Sequence, residues 1–275
     1  MMPEIPSQSA PLHTALPQSV PSQGAGLQVA DNMAGWLAVN RLTVDGCITI
    51  LSDMPAEPAA TPHQQEPMSQ SLKGSLATAD KGWQVAHAAV IAALPGLASL
   101  VPPPDRVTLH AGPAAGKPRA AFTLDRGPHT APLVSLYFTG TPADLMALAH
   151  ECGHAMQIMA SHAAGTGVMP PLAREVCAFL AELALLNHMA GRDKNTYSQL
   201  CAAHRADDRR YLGEDAGRLR AALADVLADR EALYDHRWNY PLARIWASRI
   251  WGARLGGNGP AVQDDRKTAA KLFAA

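Results

Sequence analysis

Apolar residues recur at three and four spacing through most of the second half of the chain, the periodicity of helices that bury one face. Ser198 to Tyr211 and Ala216 to Leu233 both follow it, with Leu219, Leu223, Val226 and Leu227 on one stripe and Arg and Asp on the others. Tyr240 to Leu255 gives a further helix, with Ile245, Trp246, Ile250 and Trp251 as core contacts. Residues 170 to 191 are almost free of charge. A Pro pair opens that segment, Gly191 marks its end, and only Arg174, Glu175 and Glu182 are charged before His188. Asp80 to Leu100 reads as a helix interrupted at Pro95-Gly96, with His87 packed inside it.

Elsewhere the pattern changes. Arg106 to His110 and Leu133 to Thr139 read as strands around a loop containing Gly112, Gly116 and Gly127. Leu42 to Ile50 places Asp45-Gly46 between two β-prone runs, which predicts a hairpin. Residues up to about Gly35, and again 52 to 74, are rich in Pro, Ser, Gln and Ala. They predict a flexible arm and a linker. The stretch from Gly256 is rich in Gly, Asn, Pro and charge and predicts a loose tail. The expected organisation is thus an arm over 1–35, a hairpin, linker and helix over 36–104, a helical core with a small sheet over 105–255, and a tail over 256–275. The fold class is mainly α.

Composition narrows the function. A formal net charge of -1 over 275 residues leaves no broad basic field for nucleic acid. The apolar run around Ile91 is too short and broken to span a membrane. The start of the chain lacks a basic region followed by an apolar core, so no Sec signal peptide is expected. Cys47, Cys152, Cys177 and Cys201 show no paired spacing, which argues against a disulfide framework or a cysteine zinc site and points to a reducing, cytoplasmic setting.

The chemistry is concentrated in Thr141 to Gln157, which reads Thr-Pro-Ala-Asp-Leu-Met-Ala-Leu-Ala-His-Glu-Cys-Gly-His-Ala-Met-Gln. Thr141 suits an N-cap, Pro142 the first helical position, and Asp144 completes a capping box. On the helix that follows, His150 and His154 stand one turn apart and face the same way, as two ligands of one metal ion must. Glu151 falls beside them, placed to handle the proton of a water at the metal. A third ligand has to come from a second element. Glu175 and Glu182 share an otherwise apolar helix face, so Glu175 suits the metal and Glu182 suits a hydrogen bond to a ligand histidine.

These residues resemble the thimet oligopeptidase and oligopeptidase F family of zinc metallopeptidases. The resemblance covers roughly 105 to 250: Leu-Val-Ser-Leu-Tyr-Phe-Thr-Gly-Thr leads into Ala-His-Glu-Cys-Gly-His-Ala-Met, and Glu175 and Glu182 stand where the family has its third ligand and a second Glu. It implies a zincin-like helical core with its sheet at the active-site edge. It also implies one Zn²⁺ per chain on His150, His154 and Glu175, with Glu151 as general base and short peptides as substrates. The segment Tyr234-Asp235 and Tyr240-Pro-Leu-Ala-Arg-Ile-Trp-Ala is similar to the family's tyrosine-rich stretch, which implies that Tyr240 and Tyr234 assist the oxyanion. The strand before the motif is implied to border the cleft and to accept an extended peptide along its edge.

The chain departs from the pattern at Gln157, where the family often has His, at Cys152, and at Trp238, about where a tyrosine is expected. It is also far shorter than family members and lacks their large helical wall. A hydrolase dedicated to one peptide or amide is therefore an alternative. So is a non-catalytic protein in which His162 or His236 closes the fourth zinc position.

Overall fold

The computed structural model describes residues 31–52, 71–112, 120–167, 169–255 and Phe273. These form eight α-helices: α1 (Met33–Asn40), α2 (Val44–Ser52), α3 (Ala79–Ala93), α4 (Pro142–Ala164), α5 (Pro171–Ala190), α6 (Lys194–Asp208), α7 (Ala216–Leu227) and α8 (Asn239–Ile250). Three short strands, β1 (Thr108–Ala111), β2 (Phe122–Leu124) and β3 (Leu133–Leu136), complete the regular structure. The mainly helical class is as the sequence indicates. Most of the expected arm, the linker over 53–70, Gly116 and the expected tail apart from Phe273 lie outside the described residues.

The uncharged helix α5 is the centre. It packs against α3, α4, α6 and α8, and its contact with α4 is the most extensive between any two elements. A helix covered on most sides needs apolar residues all round, which explains why this segment carries so few charges. Leu172, Val176, Cys177, Phe179, Leu180 and Leu185 are buried in one core with Leu145, Leu148 and Met156 of α4 and Leu242 and Ala243 of α8. At the end of α5, Gly191 is the C-cap with φ -94, so its expected role needs no left-handed backbone. His87 is buried as expected, with Nε2 3.3 Å from the Pro102 carbonyl.

Three expectations are overturned. Residues 44–52 form a helix, not a hairpin: Thr43 Oγ1 accepts from Gly46 N–H at 3.1 Å, as an N-cap does, and Cys47, Ile50 and Leu51 enter the core at three and four spacing. The Thr49 and Ser52 hydroxyls donate back to the carbonyls four residues earlier, at 2.8 Å each, so this run satisfies itself as a helix. The burial rhythm outweighs the Asp45-Gly46 turn signal. The expected arm also ends earlier than Gly35, because Asn32 caps α1 through its Oδ1 to Gly35 N–H at 3.0 Å. The looseness expected of the tail does not extend to Phe273, which is fully buried and accepts a hydrogen bond from Ser161 Oγ.

The apolar stripes are wider in sequence than the faces that are buried. Leu219 and Leu223 are core residues whereas Leu227 is 63% exposed, and on α8 Ile245 is buried while Trp246 and Ile250, with Trp251 just beyond the helix end, are half-buried at the rim.

The sheet has the order β1-β3-β2, with β1 parallel and β2 antiparallel to β3. Leu133 to Leu136 is therefore paired on both sides, except that β2 stops opposite Ser135. This corrects the expectation that β3 offers an edge to a peptide. Strand β2, only three residues long and hidden in a Gly-rich loop, takes the place beside the motif helix. No helix among the described residues is long and apolar enough to cross a membrane.

Candidate metal centre

The orientation of α4 is fixed at its first turn. Gly140 has φ +85, and a Cβ there would lie 3.1 Å from the Ala77 carbonyl oxygen, so the position requires glycine. Thr141 Oγ1 accepts from Asp144 N–H at 3.2 Å, and Asp144 Oδ2 accepts from Thr141 N–H at 3.0 Å and Thr139 N–H at 2.8 Å. This is the capping box read from the sequence, with two extra bonds, since the Thr139 hydroxyl also donates to Asp144 Oδ2 at 2.8 Å.

Farther along α4, Gly153 lets α5 approach. A Cβ at Gly153 would stand 2.6 Å from the Cα of Ala178 and 2.8 Å from the Cys177 carbonyl oxygen. Only a glycine permits backbone contact of that kind, and it brings the Glu175 face of α5 onto the His150 face of α4.

The result is a cluster of His150, His154 and Glu175 in which one ligand atom from each lies within 4.8 Å of the others. Glu175 Oε2 is 3.2 Å from His150 Nε2 and 3.5 Å from His154 Nε2. Bonds of about 2.0–2.1 Å in a tetrahedron separate ligand atoms by about 3.3–3.4 Å, so the spacing fits a zinc ion and the two-nitrogen, one-oxygen donor set suits it. Burial alone would lower the pKa of His150 and raise that of Glu175. Burial is outweighed at His150 by Glu175 and Glu182, and at Glu175 by His154 first and then His150 and His236, leaving His150 well above and Glu175 well below their ordinary values.

Behind His150 lies a buried chain of charge. Its Nδ1 is 2.8 Å from Glu182 Oε1, which fixes Nε2 toward Glu175. Arg244, 1% exposed, donates to Glu182 Oε2 at 2.5 Å and to Asp208 Oδ1 at 2.7 Å, and stacks over the Phe179 ring. Burial opposes the ionised form of Glu182, but Arg244 and His150 hold its carboxyl below the usual range. His154 has no such support: its Nδ1 is buried without a hydrogen-bond partner among the described residues.

Glu151 is buried and held from the other side. Thr123 Oγ1 of β2 donates to Glu151 Oε2 at 2.7 Å, which aims the carboxylate at the cleft. That cleft encloses about 520 Å³ and is lined by His150, Glu151, Tyr137, Tyr211 and Tyr240. Its far wall is charged, with Asp207, Arg210, Glu214, Asp215 and Arg237.

The remaining sequence candidates separate. Tyr240 lines the cleft, its ring 5.4 Å from that of His236, and burial raises its phenol well above the ordinary value. Tyr234 stands one layer back: its hydroxyl accepts from Asn239 Nδ2 at 3.2 Å and lies 3.3 Å from His236 Nδ1. His236 Nε2 in turn is 3.3 Å from Glu175 Oε1, the carboxylate oxygen that does not face the two ligand histidines. His162 is not at the centre and pairs with Asp125 at 3.2 Å.

Sequence reasoning missed Thr123, Arg244 and Asp208. Thr123 and Arg244 reach the site across 28 and 62 residues, which no local periodicity encodes. No protein-family model, no curated protein and no solved structure matches this chain.

Proposed function

We propose that the protein is a zinc-dependent hydrolase of peptide bonds in short peptides. The observation that carries the reading is the convergence of His150, His154 and Glu175 to within 4.8 Å, with Glu151 beside them at the wall of a cleft of about 520 Å³. The order of strand, Gly140-Thr141 turn, H-E-C-G-H helix and Glu-bearing helix further supports a zincin-like core akin to the thimet oligopeptidase and oligopeptidase F family. Four free thiols suit a reducing compartment such as the cytoplasm.

His150, His154 and Glu175 would hold the zinc, and Glu182 and Arg244 keep His150 presenting Nε2. Zinc, when bound, supplies Lewis acidity that polarises a carbonyl and lowers the pKa of water. Glu151, aimed by Thr123, takes the proton of the attacking water and returns it to the departing amine. Tyr240 donates to the oxygen on which negative charge develops, a contribution of about 3 kcal/mol in comparable sites.

The test compares zinc content and cleavage of a mixed short-peptide library by the native protein and by Glu151→Gln. The native protein should bind one zinc and cleave; Glu151→Gln should bind zinc and cleave nothing. A native protein that takes up no zinc removes the reading. A second reading, a closed zinc site in a binding protein, rests on His236 at Glu175. Anion binding to the cobalt-substituted protein separates the two: azide entering an open fourth position shifts the absorption of the native protein, whereas a site closed by His236 takes up azide only after His236→Ala.

A further inference from the structure

After α6 the chain runs along the far wall of the cleft as a π-helix over Arg209–Asp215, a rare form frequent at functional sites and repeated in this chain over Trp251–Leu255. This segment turns Arg210, Tyr211, Glu214 and Asp215 to the cleft together.

Asp215 is 2% exposed and contributes to the cleft lining, and among the described residues no hydrogen bond or ion pair within 4 Å holds it; Arg210, Arg237 and Arg218 act on its charge from farther off and offset its burial only in part. Buried carboxylates without partners are costly, and proteins keep them where something else supplies the partner. The two arginines on the same wall are already engaged. Arg237 pairs with Asp235 at 3.0 Å, and Arg210 donates to the Tyr211 hydroxyl at 2.5 Å and lies 3.9 Å from Asp207. Glu214 is exposed and, like Asp215, has no ion pair within 4 Å among the described residues, so three carboxylates line the wall against two arginines.

We infer that this wall is a subsite for a cationic group of the substrate, an amine or a guanidinium, anchored by Asp215 and supported by Glu214. The cation is either a lysine or arginine side chain or the free amino terminus of a short peptide. The inference rests on the hydrolase reading, because the subsite opens into the same cleft as Glu151.

Binding is measured on the zinc-loaded Glu151→Gln protein, which holds peptides without turning them over. The probes are fluorescent short peptides in which Lys replaces Gln at each position in turn, each with a free or an acetylated amino terminus. One cationic probe should bind about tenfold tighter than its neutral counterpart, the effect of one charge-assisted hydrogen bond. The Lys scan and the acetylated arm tell a side chain from a terminus. Adding Asp215→Asn should bring that probe down to the affinity of the neutral one, and Glu214→Gln should weaken the preference in part. Asp215→Asn should also raise Tm by a few degrees, since it removes a buried charge that the neighbouring arginines offset only in part. A lowered Tm marks the carboxylate as structural and overturns the inference. Equal binding of charged and neutral probes overturns it too, as does a preference that survives Asp215→Asn. If the preference is found but the native protein cleaves nothing, the subsite stands and the hydrolase reading falls. Cleavage without charge preference gives the reverse, and no binding of any probe overturns both.

Discussion

Thr123 and Arg244 do the least visible work at the centre, and each supports a definite expectation. Thr123→Val keeps the shape of β2 but removes the donor to Glu151 Oε2. A hydrogen bond to a charged group contributes about 1.5–3 kcal/mol, so kcat should fall by about tenfold or more while zinc content stays at one per chain. An unchanged kcat would mean that Glu151 is aimed by something else. Arg244→Met is harsher. It leaves Glu182 buried without its cationic partner and Asp208 without one of its own, and loss of one member of a buried pair costs about 3–5 kcal/mol. Urea unfolding should show that loss, and zinc affinity should drop about 10- to 100-fold as His150 loses its orientation. Arg244→Lys should recover only part of both, because an ammonium lacks the planar fork that reaches two carboxylates. Equal recovery by Lys would show that charge alone matters there. Of the site, His150, His154, Glu175 and Glu182 are legible in the sequence because helical spacing of four and seven residues puts each pair on one face. Their supports are not, because Thr123 and Arg244 arrive from other elements.

At the scale of elements, legibility follows how local the determining interaction is. The start of α4 is readable because cap, proline and box lie within four residues of one another. The three-residue β2 is not, since its pairing with β3 and its contact to α4 are its only reasons to be a strand. Nor is α2, where Asp45-Gly46 imitates a turn and only burial of Cys47, Ile50 and Leu51 against other elements decides for a helix. Gly153 belongs to the same lesson: within the motif it looks like a weak point in a helix, and only the packed pair gives it a role. Gly153→Ala should therefore destabilise the protein by about 1–3 kcal/mol, against the gain that Ala normally brings to a helix. The new Cβ meets backbone atoms of Ala178 and Cys177, which cannot rotate away, so α5 must shift and carry Glu175 with it. Thermal unfolding and zinc titration of that variant should both worsen. A variant with lower Tm but native zinc affinity would uncouple the helix contact from the ligand geometry.

For the molecule as a whole, zinc and protons should compete, because the centre clamps the two helices with the most extensive contact in the fold. Zinc at a thousandfold excess over Kd would stabilise the folded state by about 4 kcal/mol. For a chain of this size that is a rise in Tm on the order of 10 °C over the chelated protein. In the metal-free protein His150 is protonated more readily than an ordinary histidine, since Glu175 and Glu182 outweigh the opposing effect of burial. A group whose folded pKa is raised contributes stability that is fully present below its unfolded value of 6.5 and lost as pH rises through the folded value. The proton between His150 and Glu175 thus substitutes in part for the metal at low pH, and zinc must displace it. His87 acts with the opposite sign, since burial lowers its pKa, so protonation of the unfolded chain below 6.5 weakens both metal-free and zinc-loaded forms alike. Its contribution cancels when the two forms are compared. The difference in Tm between zinc-loaded and chelated protein should therefore be small near pH 5 and grow steadily toward about pH 8. In Glu151→Gln, which keeps all three ligands, the same growth should appear without any cleavage. A difference that stays constant or shrinks as pH rises would mean that His150 does not exchange its proton for the metal, and the ligand set would have to be sought elsewhere.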